Sequence, residues 1–170
     1  MQSNNSFQAR PSVRLRLPPV GLNSNVSAQT MHLRLSKSQE DPDGLHQFWL
    51  SAASGGHSTS IDFYAYPDDL AEFGNKLSSF TGGAGDEPFF ECGSTEERAY
   101  SWVRLQAFPI DSLGHSVLQV ATNRNGARHV RASVCFSAQM EVAGINQLGY
   151  QLAKWAMSAA EELEFRDSER

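Results

Sequence analysis

Cysteine is scarce in this sequence. The 170 residues hold two, Cys92 and Cys135, in no CxxC or other metal-ligand spacing, which argues against a disulfide scaffold and against a zinc module. No stretch approaches the roughly 20 apolar residues of a membrane span, and the N-terminus lacks the apolar segment of a secretory signal. A cytoplasmic protein with no membrane partner is therefore expected. There is also no HExxH, no paired-His helix and no Asp-rich loop with calcium-binding offsets. The acids of "SQEDPDG" lack the later bidentate Glu, and "TGGAGDE" follows a helix with no Lys-Ser or Lys-Thr after it. No metal and no cofactor is expected.

Positive charge is scarce as well: 14 Lys and Arg stand against 19 Asp and Glu. Arg10, Arg14 and Arg16 fall in residues 1–30, which contain no acid, so residues 31–170 carry 11 bases against 19 acids, a net −8. Such a surface repels phosphates and anionic lipid and favours a basic protein as partner, so nucleic acid is not expected to bind.

What is present is a core. At 40% hydrophobic, 170 residues suit one packed domain better than two. Residues 1–30 are rich in Ser, Asn, Gln and Pro and read as a tail, with one edge strand in "SVRLRL" cut off by Pro18 and Pro19. Met31 opens the first alternating element and is a conceivable internal start. From there the period is two. "MHLRLSK" places Met31, Leu33 and Leu35 on one face, and "LHQFWLSAA" and "STSIDFYAY" form a hairpin around "SGGH". Pro67 then opens a helix whose Asp68, Asp69 and Glu72 favour its N-terminal dipole and whose Leu70, Phe73, Leu77 and Phe80 form one stripe.

The second half repeats that order. "EPFFEC" and "AYSWVRLQAF" are strands, "SVLQVATN" and "RHVRASVCFSA" pair through Asn125-Gly126, and Val142, Ile145, Leu148, Leu152, Trp155, Ala159 and Leu163 mark a long C-terminal helix. Gly144 and Gly149 inside it point to close packing, since each costs about 1 kcal/mol of helix propensity relative to Ala. These elements predict an α+β domain over residues 31–163, with 164–170 frayed. Its twisted antiparallel sheet has about six to seven strands, both helices lie on one face, and a ββα-type internal duplication is compatible with the repeated order. Tyr64, Tyr66, Trp102, Arg104 and Arg131 are candidates for the exposed face.

The tripeptide Gly-His-Ser occurs twice, at 56–58 and 114–116. Asp111, Ser112, His115 and Ser116 supply the residue types of a hydrolase triad within six positions, so a small hydrolase or metal-dependent enzyme around Asp111 and His115 is one reading. Triad partners normally come from separate elements, whereas residues around one tight turn splay outward. The glycines are what a turn requires, so Gly-His-Ser reads as a turn made twice. The candidate binding residues are instead the loop acids Asp86, Glu87, Glu96, Glu97 and Asp111, with His115 and the aromatics Tyr64, Tyr66 and Trp102. Together they would form an acidic rim for a basic partner with aromatic anchors supplying affinity. An acidic chaperone for a secreted protein is a further reading.

Over residues 31–156, the "FWL" strand, the "YPDDLAEFGNKL" helix start and "DSLGHSVLQV" occur in an order that resembles a group of small bacterial proteins including immunity proteins of the WapI type. The resemblance implies a cytoplasmic α+β protein that binds and neutralises a cognate toxin, a non-enzymatic role with no catalytic residues to carry over. The first 30 residues lie outside it.

Overall fold

The computed structural model describes residues 30–38, 41–111 and 113–167. The expected tail with its edge strand, and the triad candidate Ser112, fall outside them. Three strands come first: β1 (His32–Lys37), β2 (His46–Ser54) and β3 (His57–Ala65). Helix α1 (Pro67–Ser78) follows, then β4 (Phe89–Gly93), β5 (Ser101–Pro109), β6 (His115–Arg124), β7 (Ala132–Glu141), α2 (Val142–Ala156) and β8 (Glu162–Arg166).

The α+β class holds, but the single sheet of six to seven strands does not. Eight strands form two antiparallel four-stranded sheets, ordered β3-β2-β1-β8 (sheet A) and β4-β5-β6-β7 (sheet B). Residues 162–166, expected to finish a helix and fray, instead pair with β1, with Leu163 opposite Leu35 and Phe165 opposite Leu33. The alternation of Glu162, Glu164 and Arg166 with Leu163 and Phe165 gives these residues a strand's two faces, and α2 stops at Ala156. Lys37 holds that stop. Its ammonium donates to the carbonyls of Trp155 (3.2 Å), Ala156 (2.9 Å) and Ser158 (2.7 Å) and lies 5.0 Å over the Trp155 ring. The end of a helix leaves such carbonyls without intrahelical partners.

With β8 standing in first place, each sheet reads as four strands whose last leads directly into a helix: β3 into α1, β7 into α2. The two helices cross at a pair of glycines, each the eighth residue of its helix. A Cβ on Gly74 would stand 2.5 Å from the Ala153 nitrogen, and one on Gly149 would stand 2.3 Å from the Ser78 nitrogen. Backbone meets backbone there. The expected stripe of Leu70, Phe73, Leu77 and Phe80 is buried, and it shares one core with Ile145, Leu148, Leu152 and Trp155 and with the inward rows of both sheets. The helices therefore serve both sheets rather than one face of a single sheet.

Strand β3 joins the sheets by lying across the strand ends of sheet B. Along it, the Tyr64 carbonyl accepts from the Cys92 thiol of β4, the Asp62 carbonyl accepts from Ser101 of β5, Thr59 bonds Thr122 of β6, and His57 stacks on Phe136 of β7. Those contacts meet β4, β5, β6 and β7 in order, so one edge strand of sheet A spans the width of sheet B.

Both Gly-His-Ser tripeptides open a strand after a turn, as expected. Gly55 and Gly56 both have positive φ, the backbone of a two-residue hairpin that follows the twist of its strands. The tripeptides stand at non-equivalent places, before the last strand of sheet A's run and before the third of sheet B's, so they do not mark a repeat. The Asn125-Gly126 hairpin is longer than expected. Residues 125–131 form the connection, because the Asn125 side chain is buried and donates to the Ser94 carbonyl at 2.7 Å while accepting from Asn123.

Candidate functional site

The outer faces of the two sheets differ in chemistry. On sheet A, alternation turns Arg34, Glu162, Glu164 and Arg166 outward, and they pair among themselves: Arg34 with Glu162 at 2.6 Å, and Glu164 with His32 and Arg166 at 3.0 and 2.7 Å. On sheet B, the outward row of β4 is Phe89, Glu91 and Gly93, and that of β5 is Trp102, Arg104, Gln106 and Phe108. Gln119 and Ala121 from β6 and Cys135 and Ser137 from β7 complete the surface. Between its two ends, the charged residues of this face among those described are Glu91 and Arg104. They neutralise one another at 2.6 Å. Arg104 also stands 4.5 Å over the ring of Phe89, which is 50% exposed, and the Trp102 indole donates to Glu91 at 3.0 Å. The result is a surface four strands wide, largely uncharged, with aromatic side chains held in place by one ion pair.

The ends of this face carry opposite character. Asp86 and Glu87 precede β4, Asp111 follows β5, and Glu141 ends β7 directly opposite His115. These four acids share one end, and among the described residues of the loops there no Lys or Arg accompanies them. The other end is built from the 94–100 and 125–131 connections. It holds Arg98, Arg124, Arg128 and Arg131 together with Glu96 and Glu97, and Arg131 lies 3.8 Å from Glu97.

The acidic rim drawn from the sequence is thus divided. Asp86, Glu87, Asp111 and His115 come together with Glu141, while Glu96 and Glu97 stand at the far end of strands nine to ten residues long, about 30 Å away at roughly 3.3 Å per residue, among arginines. Three of the acids also shape their own loops. Asp86 accepts from the Thr81 backbone and hydroxyl at 2.7 and 2.8 Å, Glu87 accepts from Gln106 at 3.2 Å, and Asp111 accepts from the backbone of Leu113 and His115. The aromatics divide too. Trp102 lies on sheet B's outer face, Tyr64 on sheet A's beside Tyr100, and Tyr66 at the N-cap of α1. Phe89, Phe108 and Glu141 were missed in the sequence. Phe89 was hidden by its buried neighbour Phe90, since two adjacent Phe do not say which one faces out.

Asp111 and His115 do meet, at 2.6 Å between Oδ2 and Nδ1. That bond holds the imidazole above its usual range and the carboxyl below its own. The Ser116 hydroxyl faces the core, fully buried and without a hydrogen-bond partner among the described atoms, on the opposite side of the strand from His115. The pair therefore fastens a turn with Gly114 at φ 95°.

At the seam between sheets, Tyr100 donates to Asp62 at 2.5 Å and Gln47 donates to the same oxygen at 2.8 Å. Burial pushes the Asp62 carboxyl up, but these bonds outweigh it and hold it low, and the same bond raises Tyr100. A cleft between the start of α1 and the end of α2 is lined by Lys37, His46, Tyr66 and Met157. Its one ammonium is committed to the α2 carbonyls. No group of three or more His, Cys, Asp or Glu among the described residues is arranged to hold a metal, and no helix among them is long and apolar enough to cross a membrane.

No protein-family model matches the chain, and no curated protein matches it. The similar solved structures include two plant proteins. One is WHY3 from Arabidopsis thaliana, at 10% identity and a TM-score of 0.42, covering 75% of this chain and 85% of that one. The other is the plant transcriptional regulator PBF-2, at 12% identity and 0.39, covering 75% and 79%. At these scores the likeness assigns no activity or partner to this chain. The exclusion of nucleic acid drawn from net charge is nevertheless withdrawn. The −8 of residues 31–170 is unevenly spread, with four arginines gathered at one end of sheet B, so net charge alone does not exclude a polyanion.

Proposed function

We propose that this chain is a non-enzymatic protein-binding protein that works through the outer face of sheet B, in the manner of an immunity protein that neutralises a cognate toxin in the cytoplasm. The observation that carries the reading is the nearly uncharged surface around the exposed Phe89 and the half-buried Trp102 and Phe108, where aromatic side chains stand ready to fill a partner's pockets and charge lies at the margins. Binding energy concentrates in such anchors, and marginal charges chiefly set approach and orientation. The β1–β8 half of sheet A offers the contrasting case, since a partner there would have to strip solvent from ion pairs already satisfied, while its β2–β3 half turns Trp49 and Tyr64 outward. The resemblance over residues 31–156 supports the toxin-neutralising form of this reading. The order of three strands and a helix followed by four strands and a helix supports an internal duplication, with β8 completing the first sheet from the far end of the chain.

Expression of the chain beside a toxin encoded next to it tests the function. Protection that fails in Phe89→Ala/Trp102→Ala with the fold intact is expected. Protection that survives this variant and is lost on His115→Ala would favour an enzyme at the β5–β6 turn.

A further inference from the structure

We infer that the outer face of sheet B also packs against the same face of a second copy of this chain, related by a two-fold axis that sets their strands antiparallel, when no other protein covers it. The inference rests on this face being a docking surface, though not on which protein is neutralised there. The argument is charge complementarity along the strands. One end of the face carries Asp86, Glu87, Asp111 and Glu141, and the other carries Arg98, Arg128 and Arg131 against two acids, while Arg124 turns toward Asp62 at the seam. A two-fold axis perpendicular to the strands lays the acidic end of each copy over the arginine-rich end of the other, and it makes that contact twice. The parallel arrangement would oppose acid to acid, and like charges in register discriminate strongly against a wrong geometry.

The area is sufficient. Strand β4 is five residues long and β5 to β7 are nine or ten, so at about 4.8 Å between strands and about 3.3 Å per residue the flat face is roughly 540 Å² per copy, and two copies bury on the order of the 1,000 Å² that a specific interface needs. The same axis keeps the order of the strands, so β4 and β5 of one copy lie over β4 and β5 of the other, and Phe89, Trp102 and Phe108 pack among their own counterparts between the charged ends. Such a dimer hides the aromatic anchors, so self-association and partner binding exclude one another.

Sedimentation velocity of the full chain, up to about 100 µM and at low and high salt, tests this with three variants: Glu87→Arg/Glu141→Arg, Arg128→Glu/Arg131→Glu, and the two combined. The expected result is a dimer weakened by salt, weakened about tenfold by reversing either end, and restored when both ends are reversed in one chain, with circular dichroism unchanged throughout. A monomer at every concentration, or a dimer indifferent to both reversals, overturns the inference. If protection against the toxin still depends on Trp102 in that case, the proposed function stands and the self-pairing alone is wrong. A charge-dependent dimer whose chain protects without Trp102 is the reverse outcome.

Discussion

Gly149 lies so close to Gly74 that a Cβ added to it would stand 2.6 Å from the Gly74 carbonyl oxygen and 2.3 Å from the Ser78 nitrogen. Only glycine fits at this crossing, because the atoms in the way are backbone and cannot rotate aside.

Gly149→Ala is expected to destabilise the fold by about 2–3 kcal/mol, as overpacking in a rigid contact outweighs the roughly 1 kcal/mol gain in helix propensity. Gly144→Ala is the matched control. Its added Cβ meets the carboxylate of Asp167 at 2.8 Å, a side chain able to give way, so a change within about 0.5 kcal/mol of zero is predicted. Urea denaturation of both variants checks the contrast.

Replacing Lys37 by Met keeps the apolar stem over Trp155 and removes the donor to three carbonyls at the end of α2. A loss of about 1–2 kcal/mol is predicted, the range for a charge-assisted hydrogen bond at a half-buried site. Faster amide exchange confined to the last turn of α2 would locate the effect, whereas unchanged exchange there would place the role of Lys37 elsewhere.

The Asp111–His115 bond gives the β5–β6 turn a pH window. His115 is raised by its bond to Asp111, so its contribution is complete below the unfolded imidazole value, about 6.5, and fades as pH rises through the folded value. Asp111 is lowered chiefly by the same bond, so its contribution is complete above the unfolded carboxyl value, about 3.9, and fades as pH falls through the folded value. The turn is therefore firmest between about pH 4 and 6.5. An NMR titration should find His115 above the ordinary imidazole range in the wild type and near it in Asp111→Asn.

Much of the secondary structure was legible. The period-two runs of β1 to β7, the Pro67 start of α1 and its buried stripe all follow from the alternation and spacing of side chains. The division into two sheets was not, because β8 pairs with β1 across most of the chain and periodicity carries no information about such distant pairing. Two steps of four, from Trp155 through Ala159 to Leu163, imitated a longer α2, while the ammonium that ends it comes from β1. The acids of the candidate site were legible as exposed loops, but their grouping followed from sheet B's strand directions. That same order set Glu96 and Glu97 among arginines, far from Asp86, Glu87 and Asp111.

The most direct test is one binding measurement made on two faces. Isothermal titration of a toxin domain against which the chain is found to protect into the wild-type chain, Phe89→Ala/Trp102→Ala on sheet B, and Trp49→Ala on sheet A should show tight binding by the first and third. The second should be weakened at least a hundredfold, about 2.7 kcal/mol for two aromatic anchors. Equal binding by all three, or loss only with Trp49→Ala, would contradict the assignment of sheet B's outer face as the binding surface.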